Sequence, residues 1–405
     1  MICGVFLGNS VLAQEQDTDV QAMQRELEVL RRENRALKAM LAREGIDPTL
    51  KMQEKKLAVA EPEKPKKPSA IGGLFDESGK LRTSCADAVL IIEGDNSVGT
   101  GFVVKDSGKT YLYTAAHVLS GNSRFTIKNS SGRKISKFGQ METAVGADLA
   151  RIEVLEECPA FEIGKGQSAV QINLEIAALG NGGGAGVMAV ELGQILGTSG
   201  DSIEVDAEII QGNSGGPVVD VISGKVLGVA THLTAAKADI WSQGTRQGDV
   251  RRFACRLDKE WNWKPIVIGK FLAEGRIVED FDNVTRLCYA LTMLEPGGSG
   301  MRFDLNVGGN MSAAEIFEAN ESLLIVQNLY QMNRDLAGKK MAVSEMDLKK
   351  RFRSIISSAL TLANGDKNAL VPASMNSFHG KNAEDSLKFR QTSIKRLNDR
   401  YTELK

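Results

Sequence analysis

Apolar positions recur at heptad spacing between residues 18 and 43. Val20, Leu27 and Leu41 fall at a, Met23, Leu30 and Leu37 at d, and Asn34 at the remaining a position. Glu26 and Glu33 at g precede Arg31 and Lys38 at e by five residues, the spacing that bridges two parallel helices. A lone Asn at a costs stability but favours two strands in register. The stretch predicts a coiled coil about 39 Å long that makes the protein a homo-oligomer. The alternative is one amphipathic helix packed on its own domain. Residues 44–81 lose the period. Their prolines alternate with Lys and Glu ("AEPEKPKKPSA"), which predicts an extended, solvated linker. From 82 to 264 the pattern becomes short β-rich runs such as "AVLIIEG", "YLYTAAHVL" and "DLARIEV", separated by Gly, Asn, Asp and Ser. Many short strands with turn residues between them predict an all-β sandwich or barrel. Residues 265–405 return to helical spacing. Ile277, Phe281, Val284, Cys288 and Leu291 step by four and three, and Leu348, Phe352, Ile355 and Ile356 form a second stripe. Ser312 with Glu315 and Ser344 with Asp347 have capping-box spacing. The helices form an antiparallel bundle or lie on the barrel.

Composition narrows the function. The chain has 405 residues, 42% hydrophobic and 25% charged, room for two or three globular domains. A net charge of −1 creates no field that would draw nucleic acid, so no nucleic-acid partner is expected. The five cysteines are widely spaced and form no CxxC, which argues against a zinc site; no metal and no cofactor are expected. Pairing among Cys85, Cys158, Cys255 and Cys288 is left open. Residues 1–17 read as a signal peptide or an apolar tail. Residues 2–13 are mostly apolar and Val11-Leu12-Ala13 resembles a cleavage site, but no Lys or Arg precedes them. The run is too short to span a bilayer, so no transmembrane span is expected. Export to the periplasm or the medium is the expectation and the cytoplasm the alternative.

Three residues of the β-rich block can share one chemistry. A hydroxyl is a weak nucleophile at neutral pH; it needs a base, and the base needs a third group to hold its tautomer. His117 ends "YTAAH", Asp148 sits in "GADLARIEV", and Ser214 lies in "QGNSGGPVV". Attack on a carbonyl creates an oxyanion, which backbone N–H groups stabilise well. The Gly212 and Ser214 amides are the candidates, with Gly212 admitting a conformation that a Cβ hinders. "GNGGGAG" at 180–186 lacks the Lys-Ser/Thr of a phosphate loop and reads as a turn.

With these residues in order, the block resembles a trypsin-like serine protease, and most the bacterial HtrA/Deg branch. "SVGTGFVV", "YTAAHVL", "GADLARIEV", "EVDAEIIQGNSGGPVVD" and "GKVLGVATH" follow that family's order over about 180 residues. The resemblance implies a chymotrypsin-like double antiparallel β-barrel, two six-stranded barrels set perpendicular with the active site between them. The coiled coil would precede it and the helical region follow, giving a multidomain β plus α architecture. It implies His117 as base, Asp148 as orienting carboxylate and Ser214 as nucleophile. Thr231 matches a position whose hydroxyl supports the aspartate. Val229, Ala230, Thr231 and His232 would pair with an extended substrate backbone. Glu208 lies near the primary pocket, where a carboxylate favours basic side chains; the plainer expectation is that it faces solvent. The implied function is a serine endopeptidase that cuts polypeptides through an acyl-enzyme in envelope quality control. The alternatives are a catalytically silent scaffold that binds proteins through coil and tail, and a non-peptide hydrolase with the same triad. Two departures stand out. Digestive zymogens of this fold carry an Asp before the serine, which a newly cut N-terminus pairs with; Asn213 has no charge, so activity is expected without such cleavage. No β-rich segment follows residue 265, so the PDZ domains usual in HtrA proteins are not expected.

Overall fold

The chain divides into Met1–Lys66 and Lys67–Lys405. The computed structural model describes residues 73–405 apart from 167–168, 185, 236–249, 298–299, 303–312, 338–343 and 366–369. The candidate signal peptide, the coiled coil and the linker up to residue 72 lie outside the described residues.

After α1 (Thr83–Ala88), the strands β1 (Val89–Gly94), β2 (Val98–Asp106), β3 (Lys109–Thr114), β4 (Phe125–Asn129), β5 (Lys134–Ile135), β6 (Phe138–Ala144), β7 (Ala150–Val154) and β8 (Phe161–Glu162) build the first sheet. One helical turn, α2 (Ala116–Leu119), interrupts them after β3. Next come β9 (Glu175–Gly180), β10 (Ala189–Thr198), β11 (Ser202–Val205), β12 (Pro217–Asp220), β13 (Val226–Ala235) and β14 (Val250–Arg256), which close a barrel in the order β10-β11-β14-β13-β12-β9. β15 (Trp263–Ile266) returns to the first sheet, whose order is β15-β6-β7-β3-β2-β1-β4-β5 with β8 beside β2. The architecture is a chymotrypsin-like double barrel with one correction. The second barrel closes on six strands, whereas the first half is a curled nine-stranded sheet. β15 extends it beyond β6 and β4–β5 beyond β1, and these two edges make no ladder with each other among the described residues. The boundary drawn at residue 264 also passes through β15.

A second correction concerns the linker, read as ending at 81. Leu74 is fully buried and Phe75 nearly so, in the cluster that also takes Phe102 and Val104 from β2 and Val219 and Val226 from the closed barrel. Apolar side chains at 74 and 75 have more to gain from that interface than from water, roughly 1.5–3 kcal/mol each. The bridge Phe75↔Leu81 and the bond from Leu74 N–H to the Val221 carbonyl (3.3 Å) fix the segment there.

β15 is tied down by Arg151 of β7. Its guanidinium lies 4.3 Å from the Trp263 ring and 4.4 Å from the Tyr111 ring, and its Nε donates to Glu142 (2.7 Å). That anchor delivers the chain into α3 (Ile268–Leu291). α4 (Ala313–Glu318), α5 (Leu324–Ala337), α6 (Glu345–Gly365) and α7 (Ser377–Glu403) follow, with the hairpin of β16 (Glu295–Gly297) and β17 (Gly300–Arg302) between α3 and α4. Ser344 accepts from the Asp347 N–H (3.1 Å) and its hydroxyl donates to the Asp347 carboxylate (2.7 Å), capping α6. Cys288, Leu291, Val326, Leu348, Phe352, Ile356 and Leu397 form a core within the helices. The first turns of α3 instead join the core of the first sheet through Phe271 and Leu272. Phe271 is fully buried, with the His379 ring 4.3 Å and the Phe378 ring 6.2 Å from its own. Phe271→Ala is expected to destabilise the folded chain by about 3–5 kcal/mol, read as a lower denaturant midpoint.

Candidate active site

β3 ends at Thr114, and the chain passes through the fully buried Ala115 and Ala116 into α2, which presents His117 at the surface. β6 and β7 are joined by Val145–Leu149, with Gly146 at φ 80° and the Ala144 N–H donating to the Leu149 carbonyl (3.0 Å). Buried Leu149 anchors the turn and leaves its neighbour Asp148 facing α2. The two meet directly. Asp148 Oδ2 lies 2.6 Å from His117 Nδ1, and Oδ1 accepts the His117 backbone N–H at 2.9 Å. An ionised carboxylate only accepts, so Nδ1 carries the proton and Nε2 is left with its lone pair. The side chains are 41% and 27% exposed, so solvent and substrate reach the imidazole. Desolvation opposes protonation of His117, but the Asp148 charge and hydrogen bond outweigh it and raise its pKa. Desolvation likewise pushes Asp148 up, and the His117 charge, its ring and the amides of His117 and Ala116 hold it below the usual carboxylate range.

Ser214 is half-buried in the loop between β11 and β12. The loop packs onto the first sheet through Thr100 of β2, which is fully buried. The Thr100 N–H donates to the Ser214 carbonyl (2.8 Å), its hydroxyl donates to the Gly212 carbonyl (2.7 Å), and its carbonyl accepts from the Thr114 hydroxyl (2.7 Å). A Cβ on Gly215 would overlap the Thr100 carbonyl and the Thr114 hydroxyl. The Ser214 hydroxyl makes no hydrogen bond to His117 in this structure, so two of the three candidates are joined and the third stands apart. Such bonds in unliganded enzymes often tighten only in the substrate complex.

The amides are more telling. Asn213 N–H donates to the Ile210 carbonyl (3.1 Å) across a four-residue turn, and Gly212, at its third position, has φ 95°. That is the glycine position of a type II turn. A Cβ there would also overlap the Asn181 carbonyl. The Gln211 carbonyl is held by the Gly183 N–H (2.8 Å) and the Asn213 carbonyl by the Gly216 N–H (2.9 Å). In a planar trans peptide the N–H points opposite its carbonyl, so the Gly212 and Ser214 N–H groups are turned away from those partners. Neither donates a hydrogen bond among the described residues, whereas Asn213, Gly215 and Gly216 all do. Asn213 itself is 1% exposed, and its carboxamide has no partner among the described residues.

Other expected residues fall differently. Val229 and Ala230 are buried and paired on both sides. Val229 pairs with Pro217 and Cys255, and Ala230 exchanges bonds with Gly215 and Gly216 while pairing with Ala254. They cannot pair with a substrate strand. After the irregularity between Ala230 and His232, β13 continues to Ala235 with β14 along one edge and no strand along the other among the described residues. His232 lies on that stretch. Thr231 Oγ1 donates to the Phe253 carbonyl (3.4 Å) and lies 3.9 Å from Cys255 Sγ. The Cys255 thiol in turn meets the Asp148 backbone. Burial first, then the Asp148 charge, push it up to about 11. Cys255 and Thr100 carried no signal in the sequence, since both are ordinary core residues until the strands are paired. Glu208 is exposed between buried Ala207 and Ile209. The four described cysteines are free thiols. Among the described residues no group of three or more His, Cys, Asp or Glu is placed to hold a metal.

Residues 99–229 match the family described as trypsin-like peptidase domain. A probable periplasmic serine endoprotease DegP-like of Bartonella henselae is 31% identical over 144 residues, covering 33% of this chain and 28% of the relative. The mitochondrial serine protease HTRA2 of Bos taurus is 31% identical over 182 residues, covering 41% and 38%. The chain thus spans well under half the length of these relatives. The solved HtrA-type protease AlgW with tripeptide is 26% identical, covers 42% of this chain and 57% of that one, and has a TM-score of 0.33. Residues 99–229 are thus similar to a trypsin-like peptidase domain, and the chain is similar in part to HtrA- and DegP-type serine proteases.

Proposed function

We propose that the chain is a serine endopeptidase that cuts polypeptides through an acyl-enzyme. The observation that carries this reading is the His117 imidazole, held through Nδ1 by Asp148 with Nε2 free on an exposed face. In the proposed mechanism Nε2 takes the Ser214 proton as Oγ attacks the scissile carbonyl, and later returns it to the leaving amine. Asp148 stays ionised and stabilises the imidazolium. The unspent Gly212 and Ser214 amides receive the oxyanion. The stretch of β13 from His232 on, which no second strand covers among the described residues, supports pairing with an extended substrate backbone. Residues 18–43 are proposed to pair copies of the chain. Export to the periplasm, with a role in envelope quality control, rests on the apolar residues 2–13 and on the periplasmic DegP-like relative. Among the described residues no helix is long and apolar enough to cross a membrane.

The test is a fluorophosphonate probe on the full chain, with casein as substrate. Labelling at Ser214 together with casein cleavage is the expected result. An unlabelled, inactive protein is what a silent scaffold would give and overturns the proposal. Labelling with turnover of simple esters alone would favour the non-peptide hydrolase. Gly212→Ala is expected to lower kcat by about 10²–10³ with little change in KM, because it disturbs one oxyanion donor; steady-state kinetics on a peptide ester measure this.

A further inference from the structure

His379, in the first turn of α7, is fully buried and bonded on both ring nitrogens. Nδ1 lies 3.2 Å from Glu274 Oε2 on α3, and Nε2 lies 3.0 Å from Ser120 Oγ, the residue that follows α2. Since the carboxylate only accepts, Nδ1 donates to it and Nε2 accepts from the Ser120 hydroxyl. Burial lowers the His379 pKa despite Glu274, which fits this neutral tautomer. The same Oε2 accepts the Asn376 N–H at 2.9 Å. Asn376 caps α7 through its Oδ1, which accepts from the Phe378 N–H (2.9 Å), and its Nδ2 donates to Thr143 Oγ1 at 2.6 Å. Thr143 is fully buried on β6 and pairs with Ala150 of β7, so these two residues bracket the turn that carries Asp148.

One helix end therefore grips both segments that carry the His117–Asp148 pair: the α2 turn through Ser120, and the β6–β7 hairpin through Thr143. α3 adds a close approach. A Cβ on Gly275 would stand 2.6 Å from both the Gly121 nitrogen and Ser120 Oγ, and 3.1 Å from His379 Nε2. The order Ser120–His379–Glu274 resembles a second hydrolytic triad, but a ring with 0% exposure leaves no space for a substrate carbonyl.

We propose that the first turn of α7, with Glu274 of α3, is a positioning device for His117 and Asp148: Ser120, His379, Asn376 and Thr143 are positioning residues that make the C-terminal helices part of the proposed protease's catalytic apparatus. The proposal rests on the hydrolase reading above. Misplacement of a catalytic group by about 1 Å can cost about 10²-fold in rate, and losing one of several ties should cost less, about ten-fold.

The test compares the full-length parent with Ser120→Ala, Ser120→Thr, His379→Gln and Asn376→Ser, which keeps a capping hydroxyl. Labelling by the fluorophosphonate, counted per folded molecule, should slow about ten-fold in the Ala, Gln and Ser variants. KM for a peptide ester should stay within about two-fold, and the acid limb of kcat/KM should move toward the ordinary imidazole pKa of about 6.5 as the Asp148 contact loosens. Ser120→Thr should restore the parental rate. A parent that labels, with Ser120→Ala and His379→Gln labelling at the same rate and with the same acid limb, overturns the positioning role alone. A lower melting temperature with unchanged labelling per folded molecule does the same. A parent that does not label at Ser214 overturns both this proposal and the hydrolase reading.

Discussion

Ser214→Ala will lower turnover of a peptide substrate by about 10⁶-fold while the protein folds and melts as the parent does. The two halves of this expectation have separate causes. The loop is held by its main chain: Thr100 grips the Ser214 and Gly212 carbonyls, and the Gly215 N–H donates to the Ala230 carbonyl at 2.7 Å. None of these contacts uses the hydroxyl, which is half-buried and makes no hydrogen bond to His117. Its loss should change stability by no more than about 0.5 kcal/mol. In the proposed mechanism turnover depends on it entirely, because Ser214 Oγ is the atom that forms the acyl-enzyme. The Gly212 and Ser214 amides survive, so a residual rate about 10³-fold above that in water should persist. Near-parental cleavage of casein by this variant would end the proposed mechanism. A collapse in melting temperature would instead show that the hydroxyl holds the loop.

The parts of this site legible in the sequence were those whose chemistry needs a particular side chain or a particular freedom of backbone. His117, Asp148 and Ser214 are the side chains that the proposed chemistry needs, in a recognisable order, and Gly212 marks a position where a side chain cannot fit. Thr100 and Cys255 were not legible. Thr100 matters for where its main chain and hydroxyl meet β3 and the loop that carries Ser214, and that is settled only by tertiary pairing. The resemblance puts the substrate strand at Val229 to His232, and its first two residues fall outside that role for a related reason. Their apolar run marks a strand, but only the ladder shows that both edges are occupied there, while from His232 on no second strand covers β13 among the described residues. Leu74 and Phe75 follow a charged, proline-rich run whose composition predicts a linker as far as residue 81, yet two apolar residues suffice to dock the segment. The relay through His379 joins residues 259 positions apart, a distance that no local pattern reports.

Asp148→Asn will lower kcat by about 10⁴-fold and shift the pH profile. A carboxamide at 148 can still accept the His117 backbone N–H through its oxygen, so the backbone contact at 2.9 Å can persist. Its nitrogen then faces His117 Nδ1 and donates to it. That forces the ring proton onto Nε2, where it blocks acceptance of the Ser214 proton. The variant should be slow for want of the right tautomer rather than for want of a fold. The sign of the pH effect follows from the pair. The parent's kcat/KM needs neutral His117, so it should rise with pH through an imidazole pKa raised above about 6.5. Without the carboxylate, desolvation is unopposed, and the residual activity should titrate lower. Stability responds to the same groups. The raised imidazole stabilises the fold below its unfolded pKa, and this is lost as pH rises through the folded value. The lowered Asp148 stabilises it above the unfolded carboxylate pKa, and this is lost as pH falls through the folded value. The parent's advantage over Asp148→Asn in melting temperature should therefore peak at roughly pH 4.5–6.5 and shrink on either side. A variant whose kcat stays within ten-fold of the parent, with an unmoved acid limb, would mean that Asp148 does not orient the base.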